Sequence, residues 1–288
     1  MPALTCDDVS ALLRTELGPE AHRHLGIDAP AKRDTAIAGG SYRAPGALVD
    51  GFRAGDADQP VTGVVVTARA STKVLHRAKA LGCNMVISCQ AFLGDSQDRP
   101  VAKPEPALAE KLRFIAENGL AVLRLQDPRL APAGRAITEA LPRATGLAAP
   151  LPGLNPAAGL VYHTTGQTVG SLAARLKAAL PTAAFRLVGN AAMPVRGLAF
   201  ATETNRPNAL APLLARPDVN LLVAGEVHET ETTAYVLDAI AIGEKKALLL
   251  VGSIAMEEPA ARTLAEWLAH RVPVPVHHQP SPELLHAV

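Results

Sequence analysis

The stretch NMVISCQ at residues 84–90 has the pattern of a buried strand that ends in polar groups. The consecutive apolar residues Met85–Ile87 are typical of a strand that is covered on both faces of a parallel sheet. Ser88, Cys89 and Gln90 follow, where the strand should end. Because ligands bind outside the carboxyl ends of strands in open α/β sheets, this stretch predicts both a fold class and a candidate site.

Strands and helices alternate on both sides of this stretch, which indicates an α/β fold. The predicted strands are 61–68, 84–88, 120–127, 195–202, 220–226 and 246–253, and the predicted helices are about 7–17, 71–82, 105–119, 133–146, 168–180, 206–216, 229–242 and 258–270. Thr5 and Ser71 precede the first two helices as predicted N-caps. Residues 18–60 carry no clear pattern, and residues 146–160 are rich in Pro, Gly and Ala, which indicates a linker or an irregular loop.

The two halves of the chain resemble each other. NMVISCQ corresponds to NLLVAGE at residues 220–226, LAVLRLQD corresponds to KALLLVGS, and the strand that opens at Val61 corresponds to the one at Val195. An internal duplication is the simplest explanation, and the alternative is chance similarity between two βαβ units. We therefore predict two similar α/β domains, at residues 1–150 and 151–288, whose equivalent strand ends share a cleft.

Amino-acid composition and net charge restrict the kinds of protein that this chain can be. The 288 residues are 48% hydrophobic and 19% charged, which supplies enough apolar side chains for a sizeable core. Three cysteines without framework spacing favour a reducing compartment, and the start of the chain lacks the pattern of a secretory signal. A net charge of +1 gives no electrostatic case for binding nucleic acid or an anionic membrane. We expect a cytoplasmic protein without a membrane span.

Four segments in order resemble the NGG1-interacting-factor-three-like family, whose members are also called GTP cyclohydrolase I type 2 homologues. The segments are GCNMVISCQAF (82–92), NGLAVLRLQD (118–127), GEVHETETTAYVLDA (225–239) and LVGSIAMEEPAARTLAEWL (250–268). The resemblance implies two intertwined α/β/α domains of three layers each, a ring-shaped homohexamer, and a dinuclear metal centre in the cleft between the domains. The physiological activity of this family is mostly unsettled.

The resemblance also implies that most metal ligands of the family are replaced in this chain. After the strand at 84–88, the family has a His followed by His or Glu, where this chain has Cys89 and Gln90. Asp127 is the residue that remains of a run rich in His and Asp. After the last predicted strand, Ser253 stands at a His position, whereas Glu257 keeps the carboxylate of the family.

Each of these residues has an alternative role. Cys89 is either a soft thiolate ligand or a partly buried thiol, and Gln90 is a weak metal ligand better suited to hydrogen bonds with backbone. Asp127 and Glu257 are hard oxygen donors that could hold a metal if they converge. Because Glu257 precedes Pro259 at a predicted helix start, its alternative role is to cap that helix.

Acidic residues and histidines elsewhere give further candidates. Glu226 and Glu229 follow a predicted strand end and are candidate catalytic groups, the alternative being ordinary acidic residues in a first helical turn. His228 between them is a candidate acid–base group, with a surface histidine as the alternative. His277 and His278 are adjacent, and on an extended segment their side chains point to opposite faces, so they are poorly placed to chelate one ion.

Two functions follow from the sequence. The first is a ring-forming binding or structural protein with a degenerate metal cleft, no cofactor, and an unknown small molecule or protein as ligand. The alternative is a metal-dependent hydrolase of the GTP cyclohydrolase I type 2 kind with an altered ligand set of Cys89, Asp127 and Glu257. In that case Zn, Mn, Fe or Mg would activate water and a nearby Glu would transfer protons.

Overall fold

The computed structural model describes residues 3–17, 33–37, 40–43, 51–94, 98, 101–125, 139–147, 160–180, 182, 184–201 and 207–282. The chain divides into two compact units. Unit 1 consists of Met1–Thr138 and Ala260–Pro282, and unit 2 consists of Glu139–Pro259 and Glu283–Val288. Asp127 and most of the predicted linker at 146–160 lie outside the described residues.

Helices and strands alternate as the sequence predicts. The described helices are α1 (Cys6–Leu17), α2 (Thr72–Ala80), α3 (Pro106–Glu117), α4 (Ala140–Ala144), α5 (Val169–Ala179), α6 (Pro207–Ala215), a π-helix (Glu229–Thr233), α7 (Ala234–Ala241) and α8 (Ser253–Ala269). The described strands are β1 (Arg33–Ile37), β2 (Gly40–Arg43), β3 (Gly51–Ala54), β4 (Val64–Thr67), β5 (Met85–Ser88), β6 (Ala121–Arg124), β7 (Leu160–Thr168), β8 (Arg186–Val188), β9 (Pro194–Phe200), β10 (Leu221–Ala224), β11 (Ala247–Leu250) and β12 (Val276–His278). Among the described helices, none combines the length and hydrophobicity needed to cross a bilayer.

Unit 1 has three layers around a five-stranded sheet with the order β12-β4-β5-β6-β3. The strands β12, β4, β5 and β6 are parallel, and β3 is antiparallel at one edge. Val64 and Val66 pack in a cluster with residues of α1 and the second half of α8, whereas Val65 packs in a cluster with α2 and α3. Both faces of the sheet are therefore covered, which explains the continuous apolar runs in the central strands.

Unit 2 has a second five-stranded sheet, with the order β7-β9-β10-β11-β8. Its central strands β9, β10 and β11 are parallel, and both edge strands are antiparallel. Side chains of α4, α5 and the start of α8 pack on one face, and side chains of α6 and α7 pack on the other. The predicted α/β fold with two sheets and covering helices is confirmed.

The structure differs from the sequence predictions mainly at the edges of the two units. The edge strands β3, β8 and β12 were not predicted, because three or four residues carry too little periodicity to be recognised. Unit 2 begins at Glu139 rather than at residue 151, and the chain returns to unit 1 at Ala260. That return depends on the pairing of β12 with β4, a contact between distant parts of the chain that no local pattern reveals.

The central strands of the two units have the same hydrogen-bonded framework. Asn84 precedes β5, accepts a hydrogen bond from Thr62 N (2.8 Å) and donates one to Pro60 O (2.8 Å). Asn220 holds the equivalent place before β10, where it accepts from Arg196 N (3.1 Å) and donates to Pro194 O (2.8 Å).

The next strand repeats the correspondence. The amide of Ala121 donates to Asn84 O (2.8 Å), and the amide of Ala247 donates to Asn220 O (2.9 Å). The two asparagines therefore define matching registers, in which β4, β5 and β6 correspond to β9, β10 and β11. This correspondence is what the predicted duplication requires, and the duplication itself stays an inference.

We predict that Asn84→Ala and Asn220→Ala each lower the free energy of unfolding by about 1 kcal/mol, because each removes hydrogen bonds to exposed backbone groups that water can only partly replace. Chemical denaturation measures this loss. Asn84→Asp is the matched control, since it keeps the acceptor for Thr62 N and removes the donor to Pro60 O, and it should lose less stability than Asn84→Ala. Equal stability of wild type and both alanine variants would contradict the proposed role of these side chains.

Candidate functional site

The turn after β5 carries the first two predicted site residues and is fixed by hydrogen bonds. The amide of Cys89 donates to Thr67 O (3.1 Å), and the amide of Gln90 donates to Ala68 O (2.7 Å). The hydroxyl of Ser88 donates to Gln90 O (2.8 Å). Gln90 is therefore held at the carboxyl end of β5, where ligands bind in sheets of this kind.

The side chain of Cys89 is part of the core of unit 1. It is 5% exposed and packs in the cluster that contains Ile87, Leu125 and apolar residues of α1 and α8. No disulfide joins Cys89, Cys6 and Cys83, the three cysteines of the chain. The position favours a packing role for the Cys89 thiol over a role as a metal ligand.

Ser253 lies in unit 2 as the first residue of α8, after Gly252 with a positive φ of 87°. The end of β10 comes very close, because a Cβ on Gly225 would be 2.6 Å from the Cα of Ser253. A side chain is therefore excluded at Gly225. The Oγ of Ser253 is buried and has no hydrogen-bond partner within the described part of the chain.

Glu257 does not begin a helix, and the predicted capping role is wrong. The helix α8 starts at Ser253, so Glu257 lies in its second turn and Pro259 lies inside it. A capping side chain bonds the free N–H groups at the start of a helix. Glu257 lies beyond that start. Glu257 is partly buried and provides a carboxylate in unit 2.

The acidic residues after β10 are exposed. Glu226 precedes the π-helix, and Glu229 begins it. The carboxylate of Glu229 is 3.9 Å from Arg186 Nη1, a surface pair of two well-exposed side chains. Such a pair contributes little to stability and does not by itself define a catalytic group.

His277 and His278 lie on β12 and are partly buried.

The described residues at the family's ligand positions do not fit a dinuclear metal centre. Cys89 is a core thiol, and Gln90 and Ser253 offer neutral oxygen atoms where a two-metal site needs imidazole or carboxylate ligands. Within the described part of the chain, no three His, Cys, Asp or Glu side chains are grouped so that they could hold a metal ion.

A different feature distinguishes unit 1 from unit 2. Thr67, Ser88 and Arg124 are paired across the carboxyl ends of β4, β5 and β6, and all three side chains are buried. The corresponding places in unit 2, by the register of the two asparagines, are taken by the apolar residues Ala201, Ala224 and Leu250. The fold can therefore fill these places with apolar side chains, and their polarity in unit 1 points to a role beyond packing.

Asp98 joins this polar row to the loop after β5. Its side chain is 0% exposed, and its Oδ1 accepts hydrogen bonds from Phe92 N (2.8 Å) and Leu93 N (2.7 Å). Its Oδ2 is 3.3 Å from Arg124 Nη1. The carboxylate therefore fixes the loop against the end of β6 through charge-assisted hydrogen bonds.

Lys111 on α3 completes this group. Its side chain is 5% exposed, and its Nζ donates to Phe92 O (2.7 Å) and lies 4.9 Å from the centre of the Phe92 ring. Burial, together with the nearby positive charge of Arg69, lowers the pKa of Lys111 to about 7, against an opposing effect of Asp98.

The sequence prediction missed Lys111, although the sequence contains a signal for it. Leu108, Lys111 and Ile115 are spaced so that they share one face of a helix, and all three are buried. The predicted apolar face was Leu108, Leu112 and Ile115. A lysine at an apolar-face position is unusual, since lysine is rarely buried without a partner.

Comparison with solved structures identifies the fold. The chain is similar to the hypothetical protein SA1388 of Staphylococcus aureus, with a TM-score of 0.72, 14% identity, and complete coverage of both chains. A Bacillus cereus protein related to NIF3 matches with a TM-score of 0.68 and 14% identity, over 100% of this chain and 99% of that one. YbgI, a protein of unknown function, matches with a TM-score of 0.66 and 18% identity, over 97% of this chain and 99% of that one.

These similarities show a shared fold over the whole chain, as the sequence resemblance predicted. No protein-family profile matches the sequence, and no curated protein matches it. The identities of 14–18% mean that the fold is common while most side chains have changed.

Lys111 gives a testable prediction about stability and pH. Its folded pKa lies below its unfolded value, so the unfolded chain binds more protons between about pH 7 and the ordinary lysine range, and stability should rise with pH across that window. We expect Lys111→Met to be more stable than wild type at pH 6 and to lose this advantage towards pH 10. Denaturation at several pH values measures both effects. Lys79→Met, an exposed lysine on α2, is the control, and the same pH profile for wild type and Lys111→Met would contradict the assignment.

Proposed function

We propose that this chain, which has the fold of proteins related to NIF3, is a divergent member of the NGG1-interacting-factor-three-like family. In this proposal it acts as a cytoplasmic binding protein that has lost the dinuclear metal centre of the family. The observation that carries the proposal is the position of Cys89, whose thiol packs in the core of unit 1 where the family has a metal-binding histidine.

The chemistry of the other ligand positions supports the same proposal. Gln90 and Ser253 are neutral, so they would compensate the charge of a divalent cation poorly, and an amide is a weak donor to first-row metals. Glu257 alone, among the described ligand positions, keeps a carboxylate. One carboxylate supports at most weak binding of a single hard cation.

The buried polar row of unit 1 supports a binding role in place of metal chemistry. Thr67, Ser88 and Arg124 lie at the carboxyl ends of parallel strands, which is the usual place for a ligand in an α/β sheet. Burying an arginine costs free energy that an apolar residue would not, and unit 2 avoids that cost with Leu250. A small-molecule ligand near this row would explain why unit 1 retains it.

We also propose that the chain forms a homo-oligomer, most simply a hexamer, as the family resemblance implies. Leu237 and Ile242 are 53% and 79% exposed, which is compatible with a surface that another copy covers. Light scattering at micromolar concentration should give a mass that is a multiple of 30.0 kDa. A stable monomer would remove this part of the proposal.

We predict that untagged protein, purified without added metal, contains no stoichiometric pair of transition metal ions. Elemental analysis of the dialysed protein measures the metal content per chain, and a family member with an intact histidine set serves as the positive control. About two Zn, Mn or Fe atoms per chain would contradict the proposal. That result would favour the metal-dependent hydrolase with Cys89, Asp127 and Glu257 as altered ligands.

A further inference from the structure

Two basic side chains from different elements meet at the segment after β5. The Nε of Arg69, in the loop after β4, donates to Ala91 O (3.2 Å), and the Nζ of Lys111, on α3, donates to Phe92 O (2.7 Å). Because Ala91 and Phe92 are consecutive, both side chains are anchored to the same short segment. Arg69 is near enough to lower the pKa of Lys111 by charge repulsion.

Among the described residues, no carboxylate forms an ion pair with either cation. The hydrogen bonds that their side-chain nitrogen atoms make to described residues go to backbone carbonyl oxygens. Asp98 attracts Lys111 electrostatically, while its carboxylate accepts hydrogen bonds from two backbone amides and lies 3.3 Å from Arg124 Nη1. Two cations anchored to one short segment, one of them buried, favour the approach of an anion.

The two side chains differ in their exposure to solvent. Arg69 is partly exposed, whereas Lys111 is 5% exposed. The Nε of Arg69 is used by Ala91 O, which leaves the two Nη groups of the guanidinium to contact a ligand. A guanidinium edge binds carboxylate or phosphate with two parallel hydrogen bonds.

We propose that Arg69 and Lys111 bind a small oxyanion, a carboxylate or a phosphate or sulfate group, at the carboxyl end of the sheet of unit 1. Arg69 supplies hydrogen bonds from the solvent side, and Lys111 supplies the buried positive charge. The binding role in the proposed function leaves the ligand unnamed, and this site would give that role a small oxyanion as its ligand. It does not depend on the metal content, because neither residue is a ligand position of the family.

Binding at this position should depend on pH. Lys111 must be protonated to attract the anion, and its pKa of about 7 in the free protein means that it loses charge above neutral pH. The charged groups that face it are Arg69 in the loop after β4 and Asp98 in the loop after β5, with Arg124 of β6 held against Asp98. The pKa of Lys111 lies inside the range from pH 6 to pH 8, so Lys111 is the group expected to control the dependence.

The test is titration of the intact protein with potassium sulfate, at constant ionic strength maintained with potassium chloride. Sulfate is chosen because its charge does not change between pH 6 and pH 8. We expect saturable binding by calorimetry that weakens about tenfold from pH 6 to pH 8, following the protonated fraction of Lys111. Titration with acetate and with inorganic phosphate at pH 6 then distinguishes a carboxylate site from a phosphate site.

The variants Lys111→Met and Arg69→Gln should each weaken sulfate binding at least about tenfold, since each removes one of two charge contacts. Arg77→Gln removes one positive charge from the exposed face of α2 and should bind like wild type. Lys111→Met is expected to fold, and its stability at pH 6 checks that a loss of binding is not a loss of structure. Absence of saturable binding in the wild type, or equal affinity of wild type, Lys111→Met and Arg69→Gln, would overturn the proposal while leaving the metal prediction standing.

Discussion

The register between neighbouring parallel strands is the constraint on which the rest of the structure depends. In each unit an asparagine before the second central strand, Asn84 or Asn220, holds the backbone that leads into the first. A slip of one residue would move every side chain of a strand to the opposite face of the sheet. With the register fixed, Thr67, Ser88 and Arg124 form one row, and Cys89 faces the opposite cluster.

The central strands and the helices between them could be predicted from the sequence because their signals are local. Met85–Ile87 is a continuous apolar run, and the helix that begins at Thr72 is preceded by Ser71 and followed by Gly82. The edge strand β12 could not be predicted, because Val276–His278 becomes a strand only by pairing with Val64–Val66. The early start of α8 was missed because KALLLVGS continues an apolar strand pattern to Ser253.

The candidate site was predictable in its chemistry and less so in its geometry. The sequence identifies Cys89 and Gln90 as the residues at a strand end, and the structure places them there. It cannot tell which face Cys89 occupies, since a strand covered on both faces has no alternation of polar and apolar residues. For Lys111 two sequence signals conflict. Its spacing from Leu108 and Ile115 predicts a buried position, whereas its charge predicts an exposed one.

The return of the chain to unit 1 sets an order for folding during synthesis. Residues 139–259 of unit 2 are contiguous, whereas the sheet of unit 1 lacks β12 until residues 276–278 have been made. The pairing of Val64 with Val276 closes a loop of most of the chain, and contacts between such distant residues form slowly. On a ribosome, unit 2 can therefore complete its sheet while β4 of unit 1 still has an unpaired edge. That edge is a place for a chaperone to protect, and a place where incomplete chains are prone to associate.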